Sequence, residues 1–129
     1  MKKKIYLISR LYEPLHLAIK ELSWRHTGIP AYYNLIKYIE KDNRFDLQVI
    51  FLLDSSSSQK FKSGKYKIEG IQNKVRLVQY FSLFTDKGIL KKIKWLINKL
   101  FQYILLFFVL KKNSIYYLDR DNILLGNIL

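Results

Sequence analysis

The chain is 129 residues long, half of them apolar and 16% aromatic, which suits one domain with its own core and excludes a disordered chain. It has no cysteine, which excludes a disulfide framework and a cysteine-ligated zinc site. The formal charge of +13 is uneven, because residues 60–99 hold 11 of the 23 Lys/Arg and only two acids, Glu69 and Asp86; such a stretch is either a solvated lysine-rich surface or an attractor of polyanions.

Residues 4–9 (KIYLIS) begin on the last of three lysines and form the first compact apolar run. The run is shorter than the roughly 7–15 apolar residues of a signal peptide and reads as a strand. A long connection, residues 10–28, follows it, with room for a short helix around residues 15–22. In residues 31–41, Tyr32, Leu35, Ile36 and Ile39 recur at the spacing of one helix face, and Pro30 stands where the first turn begins. Asp42 and Asn43 end that helix before a second apolar run, residues 47–53 (LQVIFLL).

Residues 54–70 are serine-rich and then lysine-rich, and read as a mobile surface loop. A third strand is predicted at 75–80 (VRLVQY). Residues 88–110 carry a wide apolar arc of Ile93, Leu96, Ile97, Leu100, Ile104, Phe107 and Phe108, with Asp86 as a cap and Lys111 and Lys112 at the C-terminal dipole. The most apolar part of this helix, residues 100–110, is too short for the roughly 20 residues of a membrane span, so a buried helix is expected. A fourth strand is predicted at 115–118 (IYYL), and residues 121–129 read as the start of another helix that stops without a cap. The apolar end suggests an incomplete domain.

Continuous apolar runs suit strands buried on both faces, and strands alternating with long helices imply right-handed crossovers. The expected fold is α/β, a doubly wound parallel sheet.

The sharpest local feature is Thr27-Gly28-Ile29-Pro30-Ala31, a glycine-bearing turn leading into a helix. A glycine there lets backbone N–H groups approach a phosphate, and the helix N-terminus favours the anion. The three-glycine dinucleotide fingerprint is absent, so an ordinary helix-entry turn is the competing reading. Arg10, Arg25 and His26 in the same long connection are candidates to hold an anionic group. Asp119 and Arg120, at the carboxyl end of the fourth strand, stand where open parallel sheets place ligands. His16 and His26 are isolated, which gives no basis for a metal site, and no cofactor is expected.

The run from Thr27 to Ile39 (TGIPAYYNLIKYI) resembles the turn and helix of the N-terminal halves of glycosyltransferase family four and its GT-B relatives. The run from Ile115 to Gly126 (IYYLDRDNILLG) is similar to that family's strand ending in Asp-Arg and its following helix. The resemblance implies an incomplete Rossmann-like half-domain of the GT-B fold, on the acceptor side, spanning residues 1–129. It implies a nucleotide-sugar as co-substrate and a glycan or lipid-linked acceptor. The donor domain, with its pair of glutamates, is absent from these residues, so no sugar transfer is expected of them alone. Thr27, Gly28 and Ile29 would then face the donor diphosphate, although Ile29 replaces the more usual second glycine.

The resemblance further implies a cytoplasmic protein at the inner face of the membrane, acting in polysaccharide assembly. Lysines 60, 62, 65, 67, 87, 91 and 92, with Phe61, Tyr66, Phe81, Phe84 and Trp95 among them, would press onto anionic headgroups. The alternative is a non-enzymatic basic module for nucleic acid or an anionic membrane surface. No nucleic-acid-binding signature is present, and nucleic acid is not the expected partner.

Overall fold

The computed structural model describes residues 2–25, 29–54, 57–79, 90–110 and 113–118. The chain runs β1 (Lys3–Arg10), α1 (Glu13–Lys20), α2 (Pro30–Glu40), β2 (Phe45–Leu52), α3 (Ser57–Lys60), β3 (Gly64–Tyr66), β4 (Val75–Val78), α4 (Leu90–Val109) and β5 (Ile115–Leu118). The five strands form one sheet in the order β3-β4-β2-β1-β5. β1 pairs in parallel with β2 and with β5, and β2 pairs in parallel with β4. The fold is mixed α/β with a mostly parallel sheet, as the apolar runs imply.

Alternation along β1 divides the core in two. Ile5 and Leu7 point to one face, where α1 and α2 cover them through Leu15, Ile19, Ile36 and Ile39. Tyr6 and Ile8 point to the other, where Leu106 of α4 packs on them with Ile50, Leu52 and Val78. Helices therefore lie on both faces. The β1-to-β2 connection runs over one face and the β4-to-β5 connection over the other, so the direction of winding reverses between β1 and β5.

The expected short helix in the first connection exists as α1, and Pro30 opens α2 as expected. Asp42 caps the following turn: its carboxylate accepts the Arg44 backbone N–H at 3.0 Å and the Arg44 side chain at 2.7–3.1 Å. Glu40 joins the end of α2 to the turn before β4. Its Oε1 accepts the backbone N–H groups of Gln72 (2.7 Å) and Asn73 (3.2 Å).

Residues 54–70 are not simply a surface loop. Asp54 and Ser57 cap each other, the Ser57 N–H donating to Asp54 Oδ1 at 2.7 Å and the Asp54 N–H to Ser57 Oγ at 2.9 Å. β3 then adds an antiparallel edge to β4, and Ile68 is buried in the core. The serine and lysine content hid two buried anchors, Ser57 and Ile68, that tie the segment down.

Trp24 closes the first connection against this segment. It is buried against Phe51 and Tyr33, at ring-centroid distances of 6.0 and 6.3 Å, and its backbone N–H donates to the Glu69 carbonyl at 2.8 Å. Gly70 passes so close that a Cβ there would lie 2.4 Å from the Trp24 carbonyl oxygen, and its φ is +96°. Only glycine accommodates both conditions.

The largest departure from the sequence reading concerns α4. The expected buried arc faces away from the sheet: Leu96, Leu100, Phe107 and Phe108 are 60–80% exposed, and Ile93, Ile97 and Ile104 are exposed as well. The side turned to the sheet is Lys94, Asn98, Gln102 and Leu106, all buried. The cause is hydrogen bonding at the carboxyl rim. Gln102 Nε2 donates to the carbonyls of Leu53 (2.7 Å) and Gln79 (3.4 Å), which lie just past the ends of β2 and β4. An apolar side chain at this position would leave the buried Leu53 carbonyl without that donor. Asp86, Lys111, Lys112 and residues 121–129 lie outside the described residues.

Candidate functional site

In open parallel sheets a ligand crevice forms outside the carboxyl ends of the strands, where the winding reverses. Here that point is the end of β1. Ser9, the penultimate residue of β1, is fully buried. Its Oγ shares a 3.1 Å hydrogen bond with the Tyr32 hydroxyl from the first turn of α2, and donates to the Arg10 carbonyl at 3.1 Å. Arg10 ends the strand exposed, with its guanidinium 4.6 Å from the centre of the Tyr12 ring. Tyr12 in turn packs on Tyr32, with ring centroids 6.3 Å apart. One exposed guanidinium therefore stands at the rim on the Tyr12 ring, and the Tyr32 hydroxyl is held behind that ring by the buried Ser9; a guanidinium suits an anionic oxygen.

Ile29 belongs to the same neighbourhood. It is the N-cap of α2 at φ 45°, ψ 74°, a left-handed conformation that is uncommon for a β-branched residue and costs on the order of 1–3 kcal/mol. Its carbonyl accepts the N–H groups of Tyr32 (3.1 Å) and Tyr33 (3.2 Å). The chain is thus turned into α2 by a strained residue directly behind the tyrosine that reaches Ser9. Such strain clusters at ligand sites.

Arg25 is not part of this group. It is exposed, and it lines a small cavity of ≈ 60 Å³ beside α1 with Pro14, Leu17 and Glu21, a cavity that includes neither Arg10 nor Tyr32. His26, Thr27, Gly28, Asp119 and Arg120 lie outside the described residues. Of the sequence candidates, the structure therefore associates Arg10 and Ile29, through Tyr12 and Tyr32. Ser9, Tyr12 and Tyr32 were not singled out by the sequence. The available signal was a serine ending an otherwise apolar strand, a polar residue where the run should stay buried.

A second region lies on the α4 side of the sheet. A cavity of ≈ 410 Å³ opens between the second half of α4 and β4, lined by Phe101, Leu105 and Val109 above and by Arg76, Val78 and Lys65 below. A neighbouring, more polar groove of ≈ 380 Å³ shares Lys65, Arg76 and Val109 with it and adds Lys4, Gln48 and Phe108. Lys65 and Arg76 are direct cross-strand partners, and like charges placed opposite each other are unfavourable. Neither has an acidic partner among the described residues, whereas Lys4 approaches Asp46 at 3.8 Å.

Among the described residues no helix is long and apolar enough to cross a membrane. No protein-family profile, no curated protein sequence and no solved structure matches the chain.

Proposed function

We propose that the chain is the acceptor-side, Rossmann-like half of a two-domain glycosyltransferase of the GT-B, family-four type. The complete enzyme would move a sugar from a nucleotide-sugar to a polysaccharide or lipid-linked acceptor. The observation that carries this reading is the reversal of winding between β1 and β5, with Arg10 and the Ser9–Tyr32 hydroxyl pair standing at the carboxyl end of β1. The strained entry into α2 at Ile29 agrees with it, because the resembling turn immediately precedes that helix.

On this reading Arg10 is the cation that meets a phosphate or carboxylate of the bound sugar compound, held by its stacking on Tyr12. The Tyr32 hydroxyl, held by the buried Ser9, would accept from a sugar hydroxyl. By the resemblance, the turn before α2 would offer backbone N–H groups to the donor diphosphate.

The test is a nitrogen-15 NMR titration with a nucleoside diphosphate and, separately, with a short-chain polyprenyl phosphate. Shifts concentrated at Ser9, Arg10, Ile29 and Tyr32, and lost in Arg10→Ala, are expected with at least one of the two. Titrations that leave those four amides unmoved, or that move them equally in Arg10→Ala, refute the reading.

A further inference from the structure

We propose that the outward face of α4 is a docking surface for an anionic lipid bilayer, on which the helix lies flat with the Lys65–Arg76 groove beside it. The inference stands on the α4 side of the sheet and does not depend on the sugar-transfer reading. Three observations converge on it.

The first is the inverted amphipathicity. Ile93, Leu96, Leu100, Ile104, Phe107 and Phe108 form one continuous stripe, 48–80% exposed, on a 20-residue helix. From Ile93 to Phe108 the stripe is about 22 Å long at 1.5 Å per residue. Contiguous apolar patches of this kind mark interaction surfaces. The helix carries Lys91, Lys92, Lys94 and Lys99 and is not long and apolar enough to cross a membrane, so its apolar face fits the interfacial region, as in-plane amphipathic helices do.

The second is charge. Residues 90–112 contain six lysines and no acid. Lys92 is exposed, and Lys92 and Lys99 stand about 100–120° around the helix from the centre of the stripe at 3.6 residues per turn. Lysines so placed extend their stems along the apolar surface and their ammonium groups to the headgroups. The third is the groove itself. Phe108 of the stripe and the opposed cations Lys65 and Arg76 line one groove, so apolar and basic groups share one side of the molecule. An anionic headgroup between the two cations relieves their mutual repulsion.

This places the membrane contact elsewhere than the loop aromatics suggested. Phe61 packs on His16 and on the core of the opposite face, with ring centroids 5.1 Å apart, and Tyr66 leans on that same core. Phe81, Phe84 and Lys87 lie outside the described residues. A second copy of the chain fits the stripe poorly, since each copy brings a net charge of +13 and the same basic flank. Nucleic acid matches the lysines but offers nothing to the exposed phenylalanines.

The experiment is flotation of the full chain with vesicles of phosphatidylcholine alone or mixed with phosphatidylglycerol, at low salt. Binding to the anionic vesicles is expected, weakened at least about tenfold in Phe107→Ser/Phe108→Ser and by about fivefold per cation in Lys65→Gln/Arg76→Gln. Both variants alter surface groups, and a circular dichroism spectrum unchanged from wild type verifies folding. Lys41→Gln, on the opposite side of the sheet, serves as the control with wild-type binding.

Equal binding to neutral and anionic vesicles overturns the proposal, as does no binding at all. So does undiminished binding of the double phenylalanine variant, or a wild-type dimer that this variant dissolves while vesicle binding stays absent. Retention on duplex DNA without any vesicle binding assigns the basic face to nucleic acid instead.

Discussion

The side-chain amide of Gln102 in α4 donates to the carbonyl of Leu53 at 2.7 Å, across 49 positions of sequence. This bond joins the helix to the carboxyl rim of the sheet, and it explains why a strongly apolar helix turns a glutamine inward. Gln102→Leu removes the donor from the buried Leu53 carbonyl and should cost about 1–3 kcal/mol. Leu100→Gln, on the outward side, should change stability by no more than about 0.5 kcal/mol. Urea unfolding of the two variants checks the contrast, and a greater loss from Leu100→Gln would contradict it.

Gly70→Ala should destabilise by more than about 1 kcal/mol, because the new methyl group meets the Trp24 carbonyl and the backbone is left-handed there. Gly64→Ala provides a comparison. Its φ of +156° also disfavours a side chain, but the nearest atom is in the Tyr66 ring at 3.8 Å, so the new methyl group meets no backbone atom. Thermal unfolding followed by circular dichroism should show the larger drop for Gly70→Ala, together with a change in Trp24 fluorescence.

The Asp42 carboxyl is held at about 2 instead of its ordinary 3.8, chiefly by the hydrogen bonds from the Arg44 side chain and then by the Arg44 backbone N–H. A carboxyl whose folded value is depressed stabilises the fold above its unfolded value, and that contribution disappears as pH falls from about 4 to about 2. A carbon-detected NMR titration should give an Asp42 midpoint near 2. In Arg44→Ala the midpoint should move back toward the ordinary value, and an unmoved midpoint would show that Arg44 is not the cause.

The central parallel strands were legible because they are buried on both faces, which demands a continuous apolar run such as residues 47–53. β3 was not legible. Its three residues, Gly64, Lys65 and Tyr66, carry no strand pattern of their own, and their pairing is set by the edge that β4 presents. The period of α4 was read correctly, but periodicity marks an apolar arc without saying what covers it. Here the amide of Gln102 decided the rotation.

The site shows the same division. Arg10 was visible as a cation at the end of a strand. The Ser9–Tyr32 contact spans 23 positions and exists only because α2 is laid across β1, a tertiary relationship with no local signature.

The account turns on which side of α4 faces outward, and the absence of cysteine makes this directly measurable. Single cysteines placed along the helix can be timed for reaction with a maleimide, with and without anionic vesicles. Fast labelling is expected at positions 96, 100, 104 and 107 and slow labelling at 98, 102 and 106, with the fast positions protected when vesicles are added. The opposite phase, fast at 98 and 102 and slow at 100 and 107, would mean that the apolar arc is packed on the sheet and that the proposed docking surface does not exist.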